Sequence, residues 1–178
     1  RHGTRVTFKP DPEMFEDTVY DYDTLRQRLR ETAFLTKGLK ITLTDEREGL
    51  EQNQTFHYEG GIQEFVEYLN ATRTPIYEPV FYAEGIKDKV DVEVAFQHHD
   101  GYNETIFFFV NNINTEDGGT HLAGFKTGLT KTINDYAKKV GLLKENDKNL
   151  SGDDVREGIT AIISIKIEEP QFEGQTKA

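Results

Sequence analysis

The sequence predicts an α+β fold, from three observations. Segments 39–44, 90–97 and 159–167 alternate apolar with polar residues at the period of a strand. Two apolar stripes recur at helical spacing, one starting at Leu25 before the first of those segments and one at Leu122 before the last. The hydrophobic fraction is only 35%, yet 12 Phe and 8 Tyr supply large burial per residue, enough for one good core or two small ones in 178 residues.

Taken in order, residues 3–8 alternate and stop at Pro10, which reads as a short strand with no partner before it. Leu25, Leu29 and Ala33 form one face of a helix whose other side carries Arg26, Arg28 and Arg30, and Gly38 supplies its stop. Leu39, Ile41 and Leu43, then Phe56 and Tyr58, read as the two arms of a hairpin around the polar segment 45–53. After Gly60 and Gly61, the apolar positions Ile62, Phe65, Val66 and Leu69 mark a short helix that ends before the loop of Pro75 and Pro79. Val90, Val92, Val94 and Phe96 define a strand, and Asp100-Gly101 offers a turn into residues 105–110, apolar on both faces and so expected at the centre of a sheet. Thr120 is placed to cap a long helix with the stripe Leu122, Phe125, Leu129, Ile133, Tyr136 and Val140, closed by Gly141. A polar loop follows, then a last strand at 159–167, so that strand, helix and strand suggest a crossover unit.

Composition narrows the function. A net charge of −11 opposes binding along a phosphate backbone unless a local basic patch exists. Without cysteine there is no disulfide frame and no thiolate zinc site, in keeping with a reducing compartment. The longest apolar runs are a handful of residues, against roughly 20 for a bilayer crossing, so no membrane partner is expected. The N-terminus lacks both a signal-peptide stretch and an initiator Met, and the chain is expected to begin inside something larger.

Few residues carry obvious chemistry. Ser151 and Ser164 are the only serines, which removes most nucleophile-triad readings. His98 and His99 are adjacent, and on a strand adjacent side chains point to opposite faces, so one metal ion is poorly served and a strand end turning into a hairpin is favoured. Acidic pairs such as Asp153 with Asp154, and Glu168 with Glu169, fit a solvated surface. Gly118 and Gly119 fit a phosphate cradle at a helix N-terminus, and they equally fit a tight strand-to-helix turn, which local chemistry favours. Gln175 and Lys177 lie two residues apart, so in an extended loop both point the same way. They fit a frayed tail, and they also fit a grip on a terminal phosphate, with Lys177 as point charge and Gln175 as neutral donor. Lys126, Lys131, Lys138 and Lys139 around the long helix fit a solvated stripe or a DNA contact.

The segments GTRVTFKPD, LRQRLRETAFLTKGLKITLTDER, FHYEGGIQEFVEYLN, NNINTEDGGTHLAGF, GDDVREGITAIISIKI and FEGQTK, in this order, resemble the DNA gyrase B family of bacterial type II topoisomerases. The ParE-type subunit of topoisomerase IV shares most of these motifs and is one alternative; the other is a stand-alone, non-enzymatic binding module with a ribosomal-protein-S5-like core that never meets nucleotide. The resemblance implies residues 1–55 as the C-terminal part of a GHKL ATP-binding domain. It implies residues 56–178 as a transducer of the ribosomal-protein-S5 domain 2 type, with a left-handed βαβ crossover that departs from the usual hand. It further implies that Lys177 and Gln175, on the family's QTK loop, reach the γ-phosphate of ATP, and that Thr4 lies near the adenine end of the pocket. The implied cofactors are ATP and Mg²⁺, both bound mainly by residues upstream of Arg1. The implied partners are a second gyrase B protomer in an ATP-dependent homodimer, gyrase A in an A2B2 complex, and double-stranded DNA, in the cytoplasm. None of the family's catalytic Glu, Mg²⁺-holding Asn, adenine-reading Asp or glycine-rich lid matches a segment here. No catalytic residue is therefore expected within this chain, and no ATPase activity from it alone.

Overall fold

The computed structural model describes residues 2–7, 9–115 and 118–172. Residues 2–7 and 9–21 contain no regular element, so the strand expected over 3–8 is not formed at its described residues, 3–7. A lone strand leaves its backbone groups to water, and no described strand lies beside it to satisfy them.

Helix α1 spans Tyr22–Leu35, and Asp21 caps it by accepting the Thr24 N–H at 2.6 Å. Gly38, at φ 78°, turns the chain into the hairpin of β1 (Lys40–Asp45) and β2 (Gln52–His57). Helix α2 covers Ile62–Leu69 and buries Ile62, Phe65 and Val66. The second sheet contains β3 (Phe81–Lys87), β4 (Val90–His98), β5 (Thr105–Val110), β6 (Ile113–Asn114) and β7 (Ile159–Lys166), in the order β3-β4-β7-β5-β6. Between β6 and β7 run α3 (Thr120–Lys139) and the short α4 (Gly152–Arg156). The expected strand–helix–strand crossover is present, with β5 and β7 adjacent and parallel.

Asp100-Gly101 does not fold β4 back onto β5. Strand β7 lies between them, antiparallel to β4 and parallel to β5, and it is the central strand, with residues 159–164 all buried. The two-residue hairpins are elsewhere. Asp88-Lys89 joins β3 to β4 and Asn111-Asn112 joins β5 to β6, each pair at φ 50° and 65°. Both positive φ values are those of the hairpin turn whose twist matches the flanking strands.

Alternation along β7 divides the core between the two faces of this sheet. Ala161 and Ile163 join Phe108, Leu129 and Val155 beneath α3 and α4. Ile162 joins Ala95, Phe109, Phe65, Val66, Phe34 and Leu35 beneath α2 and α1. Phe34 stacks on Tyr58 at 3.6 Å and on Phe65 at 4.6 Å, so α1 and α2 share one core. The cap of α3 is Gly119, without a side-chain hydrogen bond, and Thr120 is instead the first helical residue. Tyr136 and Val140, expected on the buried stripe, are 62% and 47% exposed, and Asn134 and Ala137 take the inner positions.

Candidate functional site

The diglycine Gly118-Gly119 lies at one end of the five-stranded sheet, where β7 gives way to residues 167–172. The ladder between β5 and β7 ends at Val110 and Ile165, with the Asn111 N–H donating to the Ile165 carbonyl at 2.8 Å. Beyond it the Asn111 side chain takes the place of a strand. Its Nδ2 donates to the Ile167 carbonyl at 2.9 Å and its Oδ1 accepts the Ile167 N–H at 3.0 Å. The next residue, Asn112, donates from Nδ2 to Thr36 Oγ1 at 3.2 Å, at the C-cap of α1. One turn therefore touches both the root of the C-terminal segment and the end of α1.

A cavity of about 460 Å³ opens beside this turn, lined among others by Val110, Thr115, Gly119, His121, Ile167 and Phe172. His121 Nε2 is 3.0 Å from Thr115 Oγ1, and its ring meets Phe108 edge-on at 5.5 Å. Burial pushes the His121 imidazole below its ordinary value, which favours the neutral ring. The diglycine makes a tight strand-to-helix turn. The Gly118 N–H donates to the Thr115 carbonyl at 3.1 Å, and a Cβ on Gly119, whose φ is 151°, would lie 2.7 Å from His121 Cε1.

Of the sequence-predicted site residues, Gln175 and Lys177 lie outside the described residues. Thr4 is exposed in the irregular N-terminal stretch. His98 and His99 do project to different environments. His98 Nδ1 is 2.8 Å from the Tyr77 hydroxyl and its Nε2 is 2.9 Å from the Val155 carbonyl, which fixes Nε2 as the protonated nitrogen. His99 is 4% exposed and lies beside Arg73. Among the described residues no group of three His, Asp or Glu side chains could hold a metal ion. Of the four lysines around α3, two are paired, Lys126 with Glu104 at 2.7 Å and Lys131 with Asp135 at 2.6 Å.

Sequence reasoning missed two features. One is Asn111-Asn112, whose doublet directly after an apolar strand is a turn signal. The other is a buried polar network, in which Arg73 donates to Thr160 Oγ1 at 2.8 Å and to Thr105 Oγ1 at 3.2 Å. Thr160 in turn donates to Asn70, and Asn70 to Gln97. No local pattern announces this network, since its members come from four separate segments.

The model of the family described as DNA gyrase B matches residues 61–178. The chain belongs to the DNA gyrase B family. It is 65% identical over 177 residues to the DNA gyrase B protein of Clostridium acetobutylicum, covering 99% of this chain and 28% of that protein. It is 60% identical to that of Halalkalibacterium halodurans, again over 99% of this chain and 28% of the relative. The chain thus spans little more than a quarter of the curated gyrase B proteins it matches. Among solved structures, the 43K ATPase domain of Thermus thermophilus gyrase B, in complex with an aminocoumarin, aligns with a TM-score of 0.83 at 42% identity. That alignment covers 94% of this chain and 45% of the other. The topoisomerase IV ATP-binding domain of Francisella tularensis aligns at 0.74 with 27% identity, over 94% of this chain and 44% of the other. The α+β architecture is therefore that of the gyrase B ATPase region. No helix among the described residues is long and apolar enough to cross a membrane.

Proposed function

We propose that this chain is the part of a gyrase B protein that couples ATP binding and hydrolysis to dimer closure and DNA strand passage, with negative supercoiling as the outcome. The reading is carried by 65% identity to a DNA gyrase B protein across 99% of the chain. Residues 1–55 form the C-terminal part of the GHKL ATP-binding domain and residues 56–178 the transducer. The shared core of α1 and α2 supports a mechanical link between them, because Phe34 of the first part stacks on Phe65 of the second.

In this reading ATP and Mg²⁺ are bound mainly by residues preceding Arg1. Lys177 presents its ammonium to the terminal phosphate and Gln175 adds a neutral amide donor. A charge-assisted hydrogen bond to a phosphate oxygen is roughly twice as strong as a neutral one, so Lys177 contributes most. Both contacts exist with a nucleoside triphosphate and vanish with the diphosphate. Occupancy of the γ-phosphate site therefore biases the position of the segment that follows β7. Thr4 supplies a hydroxyl at the adenine end, through water. The partners are a second gyrase B protomer, gyrase A in an A2B2 assembly, and double-stranded DNA, in the cytoplasm. With −11 net charge on this chain, the main DNA contacts fall to other parts of the assembly.

Lys177→Ala in intact gyrase B tests the reading. Hydrolysis should fall by about a hundredfold, the cost of removing a charged group that stabilises phosphoryl charge, with the thermal midpoint unchanged. An unchanged rate would refute it. The 178-residue chain by itself should show no ATP turnover above a buffer blank.

A further inference from the structure

We infer that Asp100-Gly101 is a site of spontaneous isoaspartate formation, with His99 as the base that draws the proton from the attacking amide. The site lies apart from any nucleotide contact, so it stands whether or not Lys177 meets a phosphate. Glycine follows the aspartate, so no Cβ shields the amide nitrogen that must attack. The only other Asp-Gly of the sequence, at 117–118, has its Asp outside the described residues. Asp100 is exposed, and its carboxylate makes no hydrogen bond or ion pair with a described residue, which leaves it free to swing over the following nitrogen. The Gly101 N–H is not part of a sheet ladder and donates instead to His99 Nδ1 at 3.0 Å.

His99 suits this task. Its Nε2 lies 3.3 Å from the Arg73 guanidinium, a longer contact than the one at Nδ1, so the lone pair belongs to Nδ1. Burial and Arg73 hold the imidazole below its ordinary value, so at neutral pH it is the free base. Once the Asp100 carboxyl has taken a proton from solvent, Gly101 N bonds to its Cγ while the amide proton passes to Nδ1. An imidazolium beside Arg73 is unfavourable, so that proton moves on to the carboxyl hydroxyl, and the Cγ–O bond breaks with loss of one water. A second water opens the succinimide, and cleavage at the original main-chain carbonyl leaves Gly101 attached through Cγ, one methylene further along. That methylene falls between the His99 and Gly101 carbonyls, whose oxygens stand within 2.5 Å of where a Cβ on Gly158 would be. Conversion therefore disturbs the entrance to β7.

Intact gyrase B, kept for weeks at physiological pH and temperature, is digested, and the peptide containing Asp100 is assayed for isoaspartate with a protein isoaspartyl methyltransferase. Isoaspartate should accumulate there. It should form faster in the folded protein than in the same protein unfolded in guanidinium chloride, since only the fold holds the base on the nitrogen. His99→Asn, whose amide oxygen can replace Nδ1 as an acceptor but is no base, should slow conversion about tenfold, an order of magnitude less than a tuned enzymic base supplies. Absence of isoaspartate at this position, a folded protein that converts more slowly than the unfolded one, or an unchanged rate in His99→Asn would each overturn the inference. If His99→Asn does not fold, the comparison of folded with unfolded unmodified protein decides alone.

Discussion

A Cβ at Gly158 would lie 2.4 Å from the Gly101 carbonyl oxygen and 2.5 Å from that of His99, and the residue holds φ 69°. Both obstacles are backbone, so neither can swing aside, and the chain enters β7 only because nothing projects there. Gly158→Ala should therefore cost more than about 2 kcal/mol, from strain at positive φ together with the clash. Gly128, in the middle of α3 with open space around its Cα, is the matched control. Alanine there should stabilise by about 0.5–1 kcal/mol through helix propensity. Denaturant midpoints of the two variants should move in opposite directions, and a shift of the same sign would contradict the account. His99 offers a second test. Burial, reinforced by the Arg73 guanidinium, holds its imidazole below the ordinary 6.5. Donors face both ring nitrogens, Arg73 at Nε2 and the Gly101 N–H at Nδ1, so an added proton finds no acceptor. The unfolded chain takes up that proton first, so stability is full above 6.5 and declines as pH falls below it toward the depressed folded value. His121 is shifted the same way and adds to the slope. The shifted carboxylates start from ordinary values of 4.5 or less and are lowered further, so their contribution is lost only in more acid solution. Thermal midpoints measured between 6.5 and 4.5 should fall with pH in the unmodified protein and fall less in His99→Gln. Equal slopes would show that His99 is not a source of the dependence.

Among the elements, α4 shows what a short helix needs. With five residues it cannot present a stripe, so it is held at both ends instead. Ser151 accepts the Asp154 N–H at 3.1 Å while Asp154 accepts the Ser151 N–H at 2.8 Å, and Arg156 pairs with Glu104 at 3.0 Å. Ser151→Ala should lower stability by about 1 kcal/mol, as loss of an N-cap does, read from the denaturation midpoint. No change would mean that the packing of Val155 alone holds the helix. This element was invisible in the sequence for the reason it needs caps, while α1, α2, α3 and the β1–β2 hairpin were legible because each buries one face at its own period. Strand β3 went unread because it lies at the sheet edge with mostly exposed side chains, so its sequence carries no alternation. Its turn, Asp88-Lys89, uses positive φ without glycine and gave no signal either. The central place of β7 could not be inferred from residues 98–105, since parallel pairing to β5 is decided by contacts more than fifty residues apart. At the site, the expectation for Gln175 and Lys177 came from motif resemblance. Asn111 declared itself only through its bonds to Ile167.

At the scale of the whole molecule, the chain has two apolar layers sharing one five-stranded sheet, and α1 contributes Phe34 and Leu35 to the layer built on α2. Residues 22–69 therefore cannot separate from the sheet without exposing that layer. Unfolding of this chain followed by far-UV and near-UV circular dichroism should give coincident transitions, whereas two resolved transitions would show that the parts on either side of residue 55 are energetically independent. The end of β7 and the end of α1 are bonded to the same two-residue turn, Asn111 to Ile167 and Asn112 to Thr36. The account depends most on what Lys177 touches when nucleotide is present. A structure of intact gyrase B with a non-hydrolysable ATP analogue measures this directly. The account predicts Lys177 Nζ within hydrogen-bonding distance, about 2.7–3.2 Å, of a terminal phosphate oxygen. An Nζ facing bulk water, remote from the phosphates, would contradict it.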